Sequence, residues 1–150
     1  MSMFSRCFHF LPVPDIHPED LRFCVNVARL LAARSRANRL RVGAVLWHPK
    51  RRSIISQGYN GTPAGTSNVM EAGNITLDTV VHAERNVFQK CHVWEGVGGI
   101  MVITHSPCVT CAEQIRDRGV RKVYYLENYR DHAGVTLLRD AGIMVQRVLT

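Results

Sequence analysis

A chain of 150 residues that is 46% hydrophobic and 21% charged has room for one ordinary domain with a packed core and too little for two, and this balance excludes wholesale disorder. No apolar run approaches the ~20 residues that cross a bilayer, and Met1 to Phe10 offers neither a long apolar stretch nor a small-residue cleavage site, so no signal peptide, no membrane span and a cytoplasmic location are expected. The net charge of +7 suits an anionic partner but does not choose between nucleic acid, a membrane surface and a small phosphate ester.

In chain order, residues 1–14 read as an irregular N-terminal arm, with Pro12 and Pro14 spaced as in an extended segment. Pro18, followed by Glu19 and Asp20, has the fixed φ and acidic first turn of a helix start. Leu21, Cys24, Val25, Ala28, Leu31 and Ala32 then recur at helical spacing. Phe23, Val27 and Leu30 add a second apolar stripe, so this helix is expected either to be deeply buried or to meet a second subunit. Val42 to Trp47 and Ser53 to Tyr59 read as a hairpin of two strands. Asn60 to Thr79 is a long Gly/Thr/Asn/Ser-rich loop, and a loop of that length is usually functional. A helix is expected from about His82 to His92, and a strand from Ile100 to His105. The next helix opens with Ser106 as its cap and Pro107 in first position, and Gly119 ends it. A strand over Val120 to Leu126, a helix over Asp131 to Ala141 and a strand over Ile143 to Leu149 complete the order α-β-β-α-β-α-β-α-β. The last three strands are each reached through a helix and should run parallel. This predicts a three-layer α/β/α sandwich around a five-stranded mixed sheet.

The five cysteines are Cys7, Cys24, Cys91, Cys108 and Cys111. Their odd number and the absence of a secretory signal argue against a disulfide framework. Only the last two are closely spaced. Cys108 and Cys111 share one face of the predicted helix, in its first turn, where the positive end of the macrodipole favours thiolates. With a neutral imidazole from His82 they would neutralise Zn²⁺ and leave a fourth position for water, which is the pattern of a catalytic zinc site. Glu84 stands two residues past the histidine, free to move protons between that water and a substrate. A closed structural site completed by His105, His92 or Cys91 is the competing reading; it leaves Glu84 without a task. Cys24 reads as a buried small hydrophobe, and His9, His17, His48 and His132 as surface or satisfied residues.

His82-Ala83-Glu84 and Pro107-Cys108-Val109-Thr110-Cys111 match the signature of zinc nucleobase deaminases. Three further blocks narrow the resemblance: Gly58-Tyr59-Asn60-Gly61-Thr62-Pro63, Arg34-Ser35 followed by Val42-Gly43-Ala44-Val45, and Ser106-Pro107-Cys108 with Asn86 after the histidine motif. With these, the chain from about residue 20 onward resembles the deoxycytidylate deaminase family, and residues 1–150 are read as a single deaminase domain. The resemblance implies hydrolysis of dCMP to dUMP and ammonia. One Zn²⁺ per subunit would be held by His82, Cys108 and Cys111, with Glu84 as proton shuttle, the Ala83 backbone N–H donating to the ring carbonyl, and Asn60 bonding the sugar hydroxyl. Arg34, Ser35, Arg41, Tyr129 and Arg130 are the candidates for holding the 5′-phosphate. The resemblance further implies a homo-oligomer, a hexamer, switched on by dCTP and off by dTTP with Mg²⁺ on the triphosphate. Gly58, Asn60, Gly61 and Glu71 are the matching regulatory residues. Some relatives place a cysteine after the position of Asn68 and bind a second zinc; Val69 stands there, so no second zinc is expected.

A tRNA adenosine deaminase or other nucleic-acid deaminase shares the zinc motif. It is disfavoured because the chain should end in a strand without an added basic helix, and because no aromatics interleave with basic residues to stack bases. A free-nucleoside cytidine deaminase and a non-enzymatic zinc-stabilised module are the remaining alternatives.

Overall fold

Apolar side chains fill both sides of the central strands, and this sets the layering. The computed structural model describes residues 14–150, so the reading of an N-terminal arm, with Cys7 and His9, falls outside the described residues except at Pro14. The elements are α1 (Pro18–Arg34), β1 (Gly43–His48), β2 (Ser53–Tyr59), the two-residue strands β3 (Glu71–Ala72) and β4 (Ile75–Thr76), α2 (Ala83–Gln89), β5 (Ile100–His105), α3 (Val109–Asp117), β6 (Lys122–Glu127), α4 (Ala133–Asp140) and β7 (Met144–Arg147). The five-stranded sheet has the order β2-β1-β5-β6-β7. β1 is antiparallel to both β2 and β5, while β5, β6 and β7 run parallel. The expected mixed sheet is therefore present. The long loop after β2 differs from expectation in containing the small β3–β4 hairpin.

Side-chain alternation divides the core. Ala44, Leu46, Met101, Ile103, Val123 and Tyr125 face a cluster built with Val87, Ile115 and Leu138 from α2, α3 and α4. Val45, Trp47, Ile100, Val102, Tyr124 and Leu126 face the other way, toward Cys24, Val25 and Ala28 of α1. Among the described residues one helix thus covers one face and three cover the other. Cys24 is fully buried, as expected, and burial pushes its thiol up to about 12. The outer stripe of α1 is not deeply buried: Phe23 is 50% and Leu30 71% exposed.

Two helix boundaries shift for physical reasons. α2 stops at Gln89, short of His92, where Arg118 Nη2 reaches across from the end of α3 to the Phe88 carbonyl at 2.8 Å. α3 starts at Val109 with Cys108 in the cap position. Ser106 does not cap this helix; its hydroxyl accepts the Tyr129 backbone N–H at 2.7 Å.

α1 lies against the start of β1 so closely that a Cβ on Gly43 would stand 1.9 Å from the Ala28 carbonyl oxygen. Backbone cannot yield as a flexible side chain can. Gly43→Ala is expected to cost on the order of 3 kcal/mol and to lower the melting temperature by about 10 °C, as a thermal melt would record.

Candidate metal centre and active site

The site forms where chain ends converge on one edge of the sheet. The carboxyl ends of β2, β5 and β6 lead into Asn60, into Ser106 to Cys108, and into Tyr129 respectively. That edge is the usual ligand side of an open α/β sheet. His82 sits immediately before α2, in extended conformation, and Cys108 does the same before α3. Packing fixes both helix starts. Gly58 on β2 lies beneath α2, where a Cβ would meet the Ala83 carbonyl oxygen at 2.9 Å. Gly134 on α4 lies against the Pro107–Cys108 backbone, where a Cβ would fall 2.1 Å from the Pro107 carbonyl oxygen.

The His82 Nδ1 atom is 3.3 Å from Cys111 Sγ and 3.6 Å from Cys108 Sγ. All three donor atoms lie within 4.8 Å of one another. Ligands at ordinary Zn–S and Zn–N lengths around a tetrahedral ion are spaced by about 3.6 Å. The donor set and its spacing therefore fit Zn²⁺. Among the described residues no other His, Cys, Asp or Glu joins the group. The closed site through His105, His92 or Cys91 does not form. In the metal-free arrangement the Cys108 thiol is pulled down to about 4, chiefly by its hydrogen bond with Cys111, while that same bond and burial push Cys111 up. The hydrogen bond to Cys108 also raises His82.

Glu84 is 4% exposed. Burial raises its carboxyl above the usual range, against smaller opposing effects from its own backbone, His82 and Cys111. Set beside His82 and Cys111, this buried carboxyl holds its proton to higher pH than an exposed one does. Ala83, the first residue of α2, has a backbone N–H with no place in the helix ladder.

One pocket contains His82, Ala83, Glu84, Cys108, Asn60 and Tyr129 together. Asn60 is anchored there: its Oδ1 accepts the Val42 N–H at 2.9 Å and its Nδ2 donates to the Leu40 carbonyl at 2.8 Å. Glu71, read from the sequence as regulatory, lines this same pocket. Gly61 pairs with Val81 in an isolated bridge just before His82. The phosphate candidates divide. Tyr129 lines the pocket, whereas Arg34, Ser35 and Arg41 line a separate depression with Ala33 and Arg36. Ser35 is buried, donating to the Asn60 carbonyl and accepting from the Ala37 N–H. Arg34 stacks over Tyr59 and Arg130 over Tyr129. His105, weighed from the sequence as a further zinc ligand, lines the pocket outside the ligand group, while sequence reasoning missed Ala37, Leu40, Met70, Thr76 and Val80 as pocket residues. Their types carry no chemical signal, and only tertiary contact brings them to the site.

Residues 18–127 match the family model described as the cytidine and deoxycytidylate deaminase zinc-binding region. The chain belongs to this family. As a member of the deaminase family it is 36% identical to ComE operon protein 2 of Bacillus subtilis, over 81% of this chain and 67% of that protein. It is 32% identical to the deoxycytidylate deaminase of Schizosaccharomyces pombe over 85% of its own length, but spans only 43% of that enzyme. Among solved structures, a dCMP deaminase of the cyanophage S-TIM5 in complex with dCMP and dUMP is 33% identical, with a TM-score of 0.82 over 89% of this deaminase and 100% of that chain.

Proposed function

We propose that this deaminase converts dCMP and water to dUMP and ammonia. The observation that carries the reading is its likeness, along the whole of the phage chain, to a dCMP deaminase whose structure holds dCMP and dUMP. Zinc bound by His82, Cys108 and Cys111 would lower the pKa of a bound water toward ~7 and so supply the nucleophile for C4 of the cytosine. Glu84 would move two protons in turn, the first from that water to the ring nitrogen and the second from the resulting C4 hydroxyl to the amine, which leaves as ammonia as the C4 carbonyl forms. The Ala83 N–H donates to the ring carbonyl, and Asn60, with one amide hydrogen unspent, donates to the sugar hydroxyl. Tyr129 stands beside the nucleotide, while Arg34, Arg41 and Arg130 supply charge toward phosphate from outside the zinc pocket and Ser35, its proton given to the Asn60 carbonyl, positions Asn60.

The same proposal covers residues 1–150 as one deaminase domain working in the cytoplasm. Assembly into a homo-oligomer, a hexamer, is supported by the exposed Phe23 and Leu30 on α1. Among the described residues no helix is long and apolar enough to cross a membrane. Activation by dCTP and inhibition by dTTP, with Mg²⁺ on the triphosphate, rest on the Gly58, Asn60, Gly61 and Glu71 block.

An ammonia-release assay tests both levels. dCMP should be deaminated with kcat/KM about 10- to 150-fold above that for deoxycytidine, since a charged phosphate contact contributes roughly 1.5–3 kcal/mol. Equal rates on both would remove any role for the phosphate. Addition of dCTP should raise, and dTTP lower, the rate at subsaturating dCMP; a flat response to both would refute the regulation and leave the chemistry intact.

A further inference from the structure

The outer wall of the pocket is made by two segments that are far apart in sequence. Residues 37–42 contribute Ala37, Leu40 and Val42, and the β3–β4 hairpin with its base contributes Met70, Glu71 and Thr76. Glu71 Oε1 joins them, accepting the Asn38 N–H at 3.0 Å and the Arg39 N–H at 3.3 Å. Arg39 Nη1 adds a contact to Thr76 Oγ1 at 3.5 Å. The inner parts of residues 37–42 are held independently, at Ala37 by Ser35 and at Leu40 and Val42 by Asn60. The middle, Asn38 and Arg39, is held by the carboxylate across the pocket. The hairpin is only two residue pairs long, too short to be stable by itself. Met70 anchors its base, being 2% exposed, and Glu71 fixes its approach to the facing segment. Two successive backbone N–H groups on one carboxylate oxygen make a charge-assisted clasp.

We propose that Glu71 is a substrate-positioning residue: by clasping the hairpin to residues 38–39 it fixes the pocket wall and so sets how tightly the nucleotide is held, without touching the amine that leaves. Glu71 stands outside the His82, Cys108, Cys111 group. This role rests on the dCMP reading.

The zinc-loaded protein and its Glu71→Ala and Glu71→Gln variants provide the test. In Glu71→Ala, KM for dCMP should rise about tenfold while kcat falls less than about threefold, the signature of lost uniform binding. Glu71→Gln keeps an acceptor oxygen in place and should return KM to within about threefold of the parent. Amide hydrogen exchange at Asn38 and Arg39 should quicken in Glu71→Ala with zinc content unchanged. A fall in kcat at constant KM, a parallel loss of zinc, or unchanged KM and exchange would each overturn the role. Failure of the parent protein on dCMP would sink the dCMP reading alone; exchange at Asn38 and Arg39 would then still decide the clasp, quickening in Glu71→Ala supporting it and equal rates overturning it.

Discussion

Glu84→Gln should keep its zinc and lose its turnover. The amide fills the same buried space and leaves His82, Cys108 and Cys111 at their 3.3 and 3.6 Å spacings, so metal analysis should still find one zinc per chain. What disappears is the group that accepts and returns a proton, worth roughly 10²–10⁴ in rate; kcat on dCMP should fall by about 10³. A variant that kept most of its activity would place proton transfer elsewhere. A parent protein inert toward every cytosine and adenine compound would favour a zinc-stabilised binding module. The same substitution has a signature in the metal-free protein. Burial raises Glu84 above its ordinary 4.5, so above that pH the folded chain binds more protons at this site than the unfolded chain does. The Glu84 contribution to stability should therefore decline as pH rises from 4.5 toward the raised value, against the rise that the lowered Cys108 thiol contributes over the same range. The Gln variant, which cannot titrate, should lack this decline in denaturant midpoints measured across that range.

Gly134→Ala should damage the metal centre from a position that offers no ligand. The added methyl would sit 2.1 Å from the Pro107 carbonyl oxygen and 2.8 Å from that of Cys108. Neither backbone group can move without moving the cysteine that follows or carries it. Overpacking of this kind costs about 1–3 kcal/mol, and here the strain is relieved by displacing α4 outward or Cys108 away from His82. Expected results are a melting temperature lower by several degrees, on the order of 5 °C, and zinc released at chelator concentrations about tenfold below those that strip the parent protein. Loss of stability with zinc affinity intact would show that α4 alone gives way.

The His82, Cys108, Cys111 triad was legible because its chemistry depends on residue type at short, fixed spacing: a Cys-x-x-Cys pair and a His-x-Glu, each at the start of a helix. The parallel run of the last three strands followed from which connections contain helices. What stayed illegible depends on contacts across the fold. Arg34, Ser35 and Arg41 adjoin the pocket segment in sequence, yet they line a neighbouring depression, since sequence nearness does not say on which side of the 37–42 segment a side chain emerges. Ser106 has the identity and place of a helix cap, but the backbone amide of Tyr129, 23 residues on, takes its hydroxyl. The β3–β4 hairpin has only two short pairs in a stretch rich in Gly, Asn and Thr, and what fixes it is the Glu71 clasp to residues 38–39.

β5 is threaded between β1 and β6, and it lies in the chain between His82 and Cys108. As a close-spaced thiolate chelate an unfolded polypeptide offers a metal the Cys-x-x-Cys pair; the His82 imidazole, 29 residues from Cys111, takes its place beside them only after that central strand has been inserted and α2 and α3 have come side by side. Loop closure of this kind is paid late in folding. Tight zinc capture should accordingly be slow, tracking completion of the sheet rather than collapse, and a half-assembled chain should hold the ion weakly enough to surrender it to competing thiols.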